Sequence, residues 1–588
     1  MSTADARPKA GPKHTKAAYF LQKGLFHDLS SFGELERRIT ELPETEHGDA
    51  FEVFAEAYFA TCRFMEAQEV WPWNRVPLQV LDELSLQAVR DVGVDGVFRT
   101  QANEYHAYQA KFRANRSTLT HTELSTFLAF AEPDKVARRV VITNCDAISL
   151  ITRGRGNLYC VLGHELDRLE SHDFEEILAW LESRPFQQAG VIPRDYQLDA
   201  VEALTGELQN HDRAIALMAC GTGKTQVALW AAERMRPQTV LVLVPSLALL
   251  KQTREAWLKG TNWDRDKLRT LCVCSDPSVG VDSIFVHRED AGIAVTTEKE
   301  HVQAFLQQEG PGVKVVFSTY QSTRVVADGM RPGEWFDVGI FDEAHRTAGK
   351  EGHDFGFALH DERLRIRKRL FFTATPRHYD YTRRRHEDKD PPLVYSMDDE
   401  KLYGSAAYKL PFAKAAERRI ICNCRVMVSV VDSSMVDPDK LPHSEVLVSG
   451  EPLSAAYVAR QLALAHGIKE HAIRKVFTFH RTVRDAEAFT SEGARGIRQH
   501  LHAPFDTRHV SGEMNAGDRE KRIRQFADAA CAILSNARCL TEGVNVPEVE
   551  MVAFMSPKRS RVDIVQAAGR AMRRSSDGTK ESGTAFRR

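Results

Sequence analysis

Residues 216–225 read ALMACGTGKT, and how this stretch is read decides the fold. An apolar run that suits a buried strand ends at Gly221 and Gly223, then come Lys224, Thr225 and the helical sequence TQVALWAAERM. A triphosphate needs main-chain N–H groups close to its oxygens, which glycine permits. It also needs a helix N-terminus, a lysine for the outer phosphates and a hydroxyl for Mg2+. The strict spacing has a first glycine where Met218 stands, so the loop alone implies a nucleotide site with a chance glycine turn as its competitor.

Outward from this loop, short β-rich runs alternate with amphipathic helical runs from Arg194 onward: AIALMA, VLVLVP, VKVVFST, VGIFD and RLFFTA, then VMVSVV, KVFTF, RHVS, AILSN and EMVAFM. This alternation predicts parallel sheets joined by right-handed crossovers, an α/β fold. The polar, proline-bearing TRRRHEDKDPPL (382–393) divides them into two. In VGIFDEAH (338–345), Asp342 and Glu343 end an apolar strand, where open parallel sheets hold ligands. Asp342 suits Mg2+, and Glu343 suits orienting and deprotonating an attacking water; an ordinary solvated turn is the alternative for two adjacent acids. In DIVQAAGRAMRR (563–574), Gln566, Arg570 and Arg573 follow at helical steps of four and three, so they share one face. Two guanidinium groups turned to a phosphate would form a transition-state clamp, although a basic surface helix has the same pattern.

The ordered set PRDYQ, ACGTGKT, LVPSLALLKQ, FSTYQS, DEAH, TATP, VFTFH, LTEGVNVP and QAAGRAMRR resembles the superfamily 2 helicase motor, particularly the DEAH-box translocases of restriction enzymes, from Ile192 to about Arg574. The resemblance implies two RecA-like domains with ATP between them. Gln197 would read adenine, while Gly221, Gly223, Lys224, Thr225 and Asp342 would hold the nucleotide and its Mg2+. Glu343 would be catalytic, with Gln566, Arg570 and Arg573 acting from across the cleft. His345, Thr373 and Thr375 would couple nucleotide state to the track, and Ser318, Thr319 and Gly543 would line the nucleic-acid path. Arg363, Arg365, Arg367, Lys368, Arg369, Arg377 and Arg383 to Arg385 crowd around TATP as a basic surface or as a merely solvated face.

Ahead of the motor, FEVFAEAYFA (51–60) repeats apolar residues at helical spacing, and GVDGVFRTQANEYHAYQAKFR (93–113) reads as two paired strands. Asp95 lies on the first strand, and Gln109 with Lys111 on one face of the second. A carboxylate, a second oxygen ligand and a lysine around one point can form a Mg2+-assisted phosphodiester site, although so short a pattern also arises on ordinary hairpins. The set resembles the PD-(D/E)xK nuclease fold in its Mrr-like form, over about 48–112. That implies Glu52 as a further acid, with Glu56, one turn on, the weaker candidate.

The 588 residues have 79 Lys+Arg against 81 Asp+Glu and are 43% hydrophobic, which excludes a disordered chain and a uniformly basic coat. Ten scattered cysteines suit a reducing cytoplasm, and no signal peptide or membrane span is legible. Cys272 with Cys274 and Cys422 with Cys424 read as buried thiols rather than zinc ligands. The expected architecture is a basic extension (1–34), a Mrr-like nuclease domain (35–185), a helicase ATP-binding domain (186–385) and a helicase C-terminal domain (386–588). KESGTAFRR (580–588) reads as the opening of a final strand, which would leave a sheet edge missing or unpaired. A truncated product is therefore expected, or a subunit served by separate methyltransferase and specificity chains or by a second copy. The leading expectation is an ATP-dependent DNA translocase fused to a Mg2+-dependent endonuclease. The alternatives are a motor on DNA or RNA whose N-terminal domain only binds, and an inactive fragment acting as a binding subunit.

Overall fold

The computed structural model describes residues 11–84, 93–101, 103–130, 136–149, 152, 158–186, 191–264, 267–274, 295–350, 354–378, 394–428, 445–448, 451–512, 514, 516–537, 549–556, 561–572 and 582–587. Three sheets organise them.

The N-terminal sheet runs in the order β1 (Ala67–Pro72), β2 (Gly96–Thr100), β3 (Tyr105–Lys111), β4 (Arg138–Thr143), β5 (Leu158–Val161). Its pairings change from antiparallel (β1 with β2, β2 with β3) to parallel (β3 with β4, β4 with β5). The helix Glu44–Thr61 covers one face, where Phe59 meets Phe98 at 5.1 Å and Tyr108 at 4.7 Å between ring centroids. Residues 17–32 belong to this core and are not part of an appended extension. Ala17, Phe20, Leu25, Phe26, Leu29 and Phe32 are all buried in it. Burial of that apolar surface outweighs the basic composition that suggested a free arm. On the other face, Val97, Ala107 and Val141 pack with Leu124 and Phe127.

The second sheet is parallel throughout its seven strands. They are β6 (Arg213–Met218), β7 (Thr239–Val244), β8 (Leu268–Val273), β9 (Val313–Thr319), β10 (Phe336–Phe341), β12 (Ile366–Thr373) and β14 (Ser405–Leu410), in the order β14-β6-β12-β10-β7-β9-β8. A small antiparallel pair, β11 (Gly349–Lys350) and β13 (Val394–Tyr395), lies outside it. Continuous aliphatic runs such as TVLVLV mark strands buried on both faces. The division at 385 is corrected by β14, which pairs with β6 from Ser405 opposite Ala214. This strand is half-exposed and holds neither valine nor isoleucine, so it lacks the aliphatic signature of its neighbours.

The third sheet is also parallel, in the order β15-β22-β21-β18-β20-β19. Its strands are β15 (Asn423–Val428), β18 (Lys475–Phe479), β19 (Asp506–Val510), β20 (Ala532–Asn536), β21 (Met551–Phe554) and β22 (Ser582–Arg587), with β16 (Glu445–Val448) and β17 (Glu451–Ser454) forming a separate hairpin. The expectation of an unpaired final edge is overturned. β22 lies in the interior, bonded to β15 on one side and β21 on the other.

The N-terminal domain docks on the second sheet's domain through the helix Leu247–Gly260. Arg254 donates to the Phe64 carbonyl at 3.2 Å and to Glu66 at 3.0 Å, and Arg63 donates to the carbonyl of Leu258 at 2.7 Å. Lys251 pairs with Glu165. Cys272 and Cys274 are buried here, the first with its thiol pushed up to about 11 by burial, as core thiols are.

Candidate active sites

The loop after β6 takes the shape its glycines permit. Gly221 (φ 82°) and Gly223 (φ 79°) both lie in the left-handed region, and the helix Lys224–Met235 starts directly afterwards. A Cβ on Gly223 would stand 2.4 Å from the Gln197 amide nitrogen. That amide donates to the Thr222 carbonyl at 3.3 Å, and its oxygen accepts the Arg194 N–H at 2.9 Å. Gln197 thus fixes the loop, and both ends of its amide are engaged by the chain.

Facing the loop, β10 is followed by Asp342, whose side-chain oxygen accepts the Glu343 N–H at 2.9 Å. Glu343 takes a left-handed φ of 48° and points its carboxylate to 3.8 Å from Lys224 Nζ. The other carboxylate oxygen is 3.4 Å from His345 Nδ1, which is 3.0 Å from the Thr373 hydroxyl at the end of β12. The same hydroxyl accepts the Thr375 N–H at 3.1 Å. Burial holds the fully enclosed His345 imidazole down to about 4, so it stays neutral near pH 7. Lysine, glutamate, histidine and threonine form one polar chain from the phosphate loop to TATP.

The helix Arg561–Ala571 of the third sheet's domain closes this cleft. A Cβ on Gly569 would lie 2.9 Å from Cys220 Cβ, so only glycine allows the helix to rest against the loop. Beyond it, the Met572 carbonyl accepts the Cys422 N–H at 2.8 Å. Gln566 and Arg570 lie on this helix. Their side chains, together with Arg573 and Gly543, fall outside the described residues. Ser318 and Thr319 end β9 with buried side chains; Ser318 donates to the Thr319 carbonyl at 3.0 Å, and the Thr319 hydroxyl is 2.9 Å from that of Ser322. Much of the arginine run near TATP is engaged within the fold. Arg365 donates to the carbonyl of Glu334, Lys368 pairs with Asp212, and buried Arg369 pairs with Asp361 at 2.5 Å. Arg383 to Arg385 lie outside the described residues.

In the N-terminal domain, Asp95 stands immediately before β2. Its Oδ2 accepts the N–H of Ala110 at 2.7 Å, the residue between Gln109 and Lys111. Gln109 and Lys111 project from the same face of β3, and Gln109 is 3% exposed with its amide oxygen lacking a hydrogen-bond partner. A buried carbonyl oxygen without a donor beside a carboxylate suits a hard cation, so the residues fit Mg2+. Burial raises the Tyr108 hydroxyl well above its usual value, and the carboxylates of Glu56, Asp95 and Glu52 add to that effect.

The two helical acids are held differently. Glu56 is fully buried and accepts the N–H groups of Lys13 at 2.7 Å and His14 at 3.1 Å, although burial still raises its carboxyl above the usual range. Glu52 lies 3.4 Å from His14 Nε2. His14, Asp49 and Glu52 bring one donor atom each within 4.8 Å of one another. His14 was missed by sequence reasoning because it sits far from the motif, in a segment read as an arm. The i, i+4 spacing of Glu52 and Glu56 was the signal that both share one face.

Comparison with known proteins agrees with this division. Residues 61–153 match a family described as restriction endonuclease, residues 190–378 one described as type III restriction enzyme, res subunit, and residues 458–575 the helicase conserved C-terminal domain. A protein of African swine fever virus named as a probable helicase is 29% identical over 393 residues, covering 64% of this chain and 39% of its own length. A DNA 3'-5' translocase of Sulfurisphaera tokodaii is 23% identical, covering 65% of this chain and 78% of its own. The solved structure of the ATP-dependent type ISP restriction-modification enzyme LlaBIII bound to DNA is similar with a TM-score of 0.74 and 25% identity, over 94% of this chain and 37% of that one. The chain therefore spans less than half the length of the viral relative and of that enzyme. Among the described residues no helix is long and apolar enough to cross a membrane. The chain joins a Mrr-like restriction endonuclease domain to a superfamily 2 helicase motor of the restriction-enzyme type.

Proposed function

We propose that the chain is an ATP-dependent DNA translocase whose N-terminal domain is a Mg2+-dependent DNA endonuclease, acting in a restriction or anti-phage system. The observation that carries this reading is the closed cleft, in which the helix bearing Gln566 and Arg570 rests through Gly569 on the loop that Lys224 follows.

Loop N–H groups and Lys224 would bind the ATP phosphates, Thr225 and Asp342 would hold the accompanying Mg2+, and Glu343 would orient the attacking water and accept its proton. Gln566 contributes to ATP binding from the second motor half, and Arg570 and Arg573 neutralise charge developing on the transferred phosphate. Neutral His345 passes the state of Glu343 to Thr373 and, through it, to Thr375. Ser318 and Thr319 shape the turn on the nucleic-acid side, and Gly543 belongs to the same path. Alternating closure then steps the motor along a sugar-phosphate track without reading its sequence.

In the nuclease, Asp95 and the Gln109 amide oxygen would hold Mg2+, with Glu52 as the further acid. The ion's chemistry there is to polarise the phosphodiester and ease loss of a proton from water. Lys111 balances the charge that gathers on the leaving oxygen. The DNA track, a second copy for double-strand cutting, separate modification and specificity subunits and cytoplasmic residence all belong to this reading.

The test is the ATPase rate with no nucleic acid, duplex DNA, single-stranded DNA and RNA, beside plasmid cleavage in Mg2+. Duplex DNA should stimulate hydrolysis and ATP should promote cutting; stimulation by RNA alone would overturn the reading.

A further inference from the structure

Between the nuclease centre and the second motor half lies a continuous polar network. Lys111 pairs in register with Thr143, so the chain two residues beyond each lies at the same end of the sheet. There, fully buried Asn144 accepts the N–H of Arg113 at 2.8 Å and donates to its carbonyl at 2.7 Å, fixing the main chain just past Lys111. The same amide nitrogen donates to Glu36 at 2.6 Å. Glu36 in turn accepts from Arg116 through Nε at 2.7 Å and Nη2 at 2.7 Å. Arg116 grips a second carboxylate, with Nη1 and Nη2 each 2.8 Å from an oxygen of Asp167.

Asp167 Oδ2, which accepts from Arg116, also accepts from Arg524 of the second motor half. Arg524 lies on the helix Ala516–Asp528, and its other nitrogen donates to the His164 carbonyl at 3.4 Å. The main chain runs in parallel, because the Asp167 N–H bonds the Gly163 carbonyl and the Gly163 N–H bonds the Cys145 carbonyl, beside Asn144. The nuclease domain is meanwhile fastened to the first motor half by Arg254 with Glu66 and by Lys251 with Glu165. Closure of one half on the other must therefore be felt where Arg524 meets Asp167.

We propose that Asp167 is the junction through which the second motor half positions the nuclease strand. Arg524 and Arg116 share one carboxylate oxygen, and Arg116, Glu36 and Asn144 carry a change there to the main chain beside Lys111. Two guanidinium groups on one oxygen form a bistable arrangement: departure of Arg524 leaves the carboxylate to Arg116 and shifts the grip of Arg116 on Glu36. These are positioning residues, and their effect on cutting rests on the nuclease reading above.

The experiment uses the full chain and Arg524→Ala, a partly exposed position. DNA-stimulated ATPase should stay within about two-fold of the parent, while the ratio of plasmid cleavage with ATP to cleavage without it falls by about ten-fold. Arg524→Lys, which keeps the charge, should recover most of that ratio. Hydrogen exchange of residues 111–116 with and without a non-hydrolysable ATP analogue supplies a readout that needs no cutting. The parent should respond to nucleotide and Arg524→Ala should not. A parent that does not cut while its exchange response disappears in the variant would sink the nuclease reading and leave the junction standing. Parental cleavage ratios or a parental exchange response in Arg524→Ala would overturn the junction.

Discussion

In the first motor half, Lys224, Asp342, Glu343 and His345 sit in two short runs of sequence, each at the end of a parallel strand. The proposed nuclease centre would instead draw Asp95 from the residue before β2, Gln109 and Lys111 from β3, Glu52 and Glu56 from a helix, and His14 from a segment ahead of that helix. In the cleft, Lys224, Glu343, His345 and Thr373 follow one another at 3.8, 3.4 and 3.0 Å. The centre keeps a buried amide oxygen without a partner at Gln109. The first set is local in sequence, and the second is brought together only by the fold.

Substitutions that separate the two sites test this contrast. Lys224→Ala should lower DNA-stimulated ATPase by about 100-fold or more and with it ATP-dependent cutting, whereas Asp95→Ala or Lys111→Ala should lower plasmid cleavage by a similar factor and leave ATPase within about two-fold. Loss of ATPase together with cleavage in Asp95→Ala or Lys111→Ala would break the division. Gln109→Glu sharpens it further, since a charged ligand should lower the Mg2+ concentration for half-maximal cleavage by about ten-fold, read by titration. Gly569→Ala forces a Cβ to 2.9 Å from Cys220 Cβ, and a displaced arginine helix should slow ATP turnover by about ten-fold with little change in unfolding midpoint. The smallest effect concerns pH. His345 and His480 are each held down to about 4 by burial. The unfolded chain thus binds more protons between about pH 4 and 6.5, so the stability these groups contribute is present above 6.5 and lost as pH falls toward 4. At most about 3 kcal/mol each is at stake, and urea unfolding of His480→Gln should show a shallower loss of stability on acidification than the parent.

Legibility in the sequence followed the same contrast. The phosphate loop, the acids after β10 and ten strands of the two parallel sheets could be read because aliphatic runs and glycine spacing are local signals. β8 and β14 could not, since LRTLCV and SAAYKL carry no long aliphatic run, and β22 was legible as a strand but not in its interior place, which its partners decide. In the N-terminal domain, D and QxK were legible as alternation along paired strands. The choice between Glu52 and Glu56, and the part of His14, depend on which main-chain N–H groups return across the helix from a distant segment.

The interior place of β22 has a consequence for biosynthesis. β15 is bonded in the sheet to β22, Asn423 opposite Ser582, and β22 also flanks β21. Until residues 582–587 have been made, β15 has no ladder to join and β21 presents a bare edge. Folding of this half during synthesis must therefore pause in an incomplete state, with unpaired main-chain groups available to a chaperone or to another nascent chain.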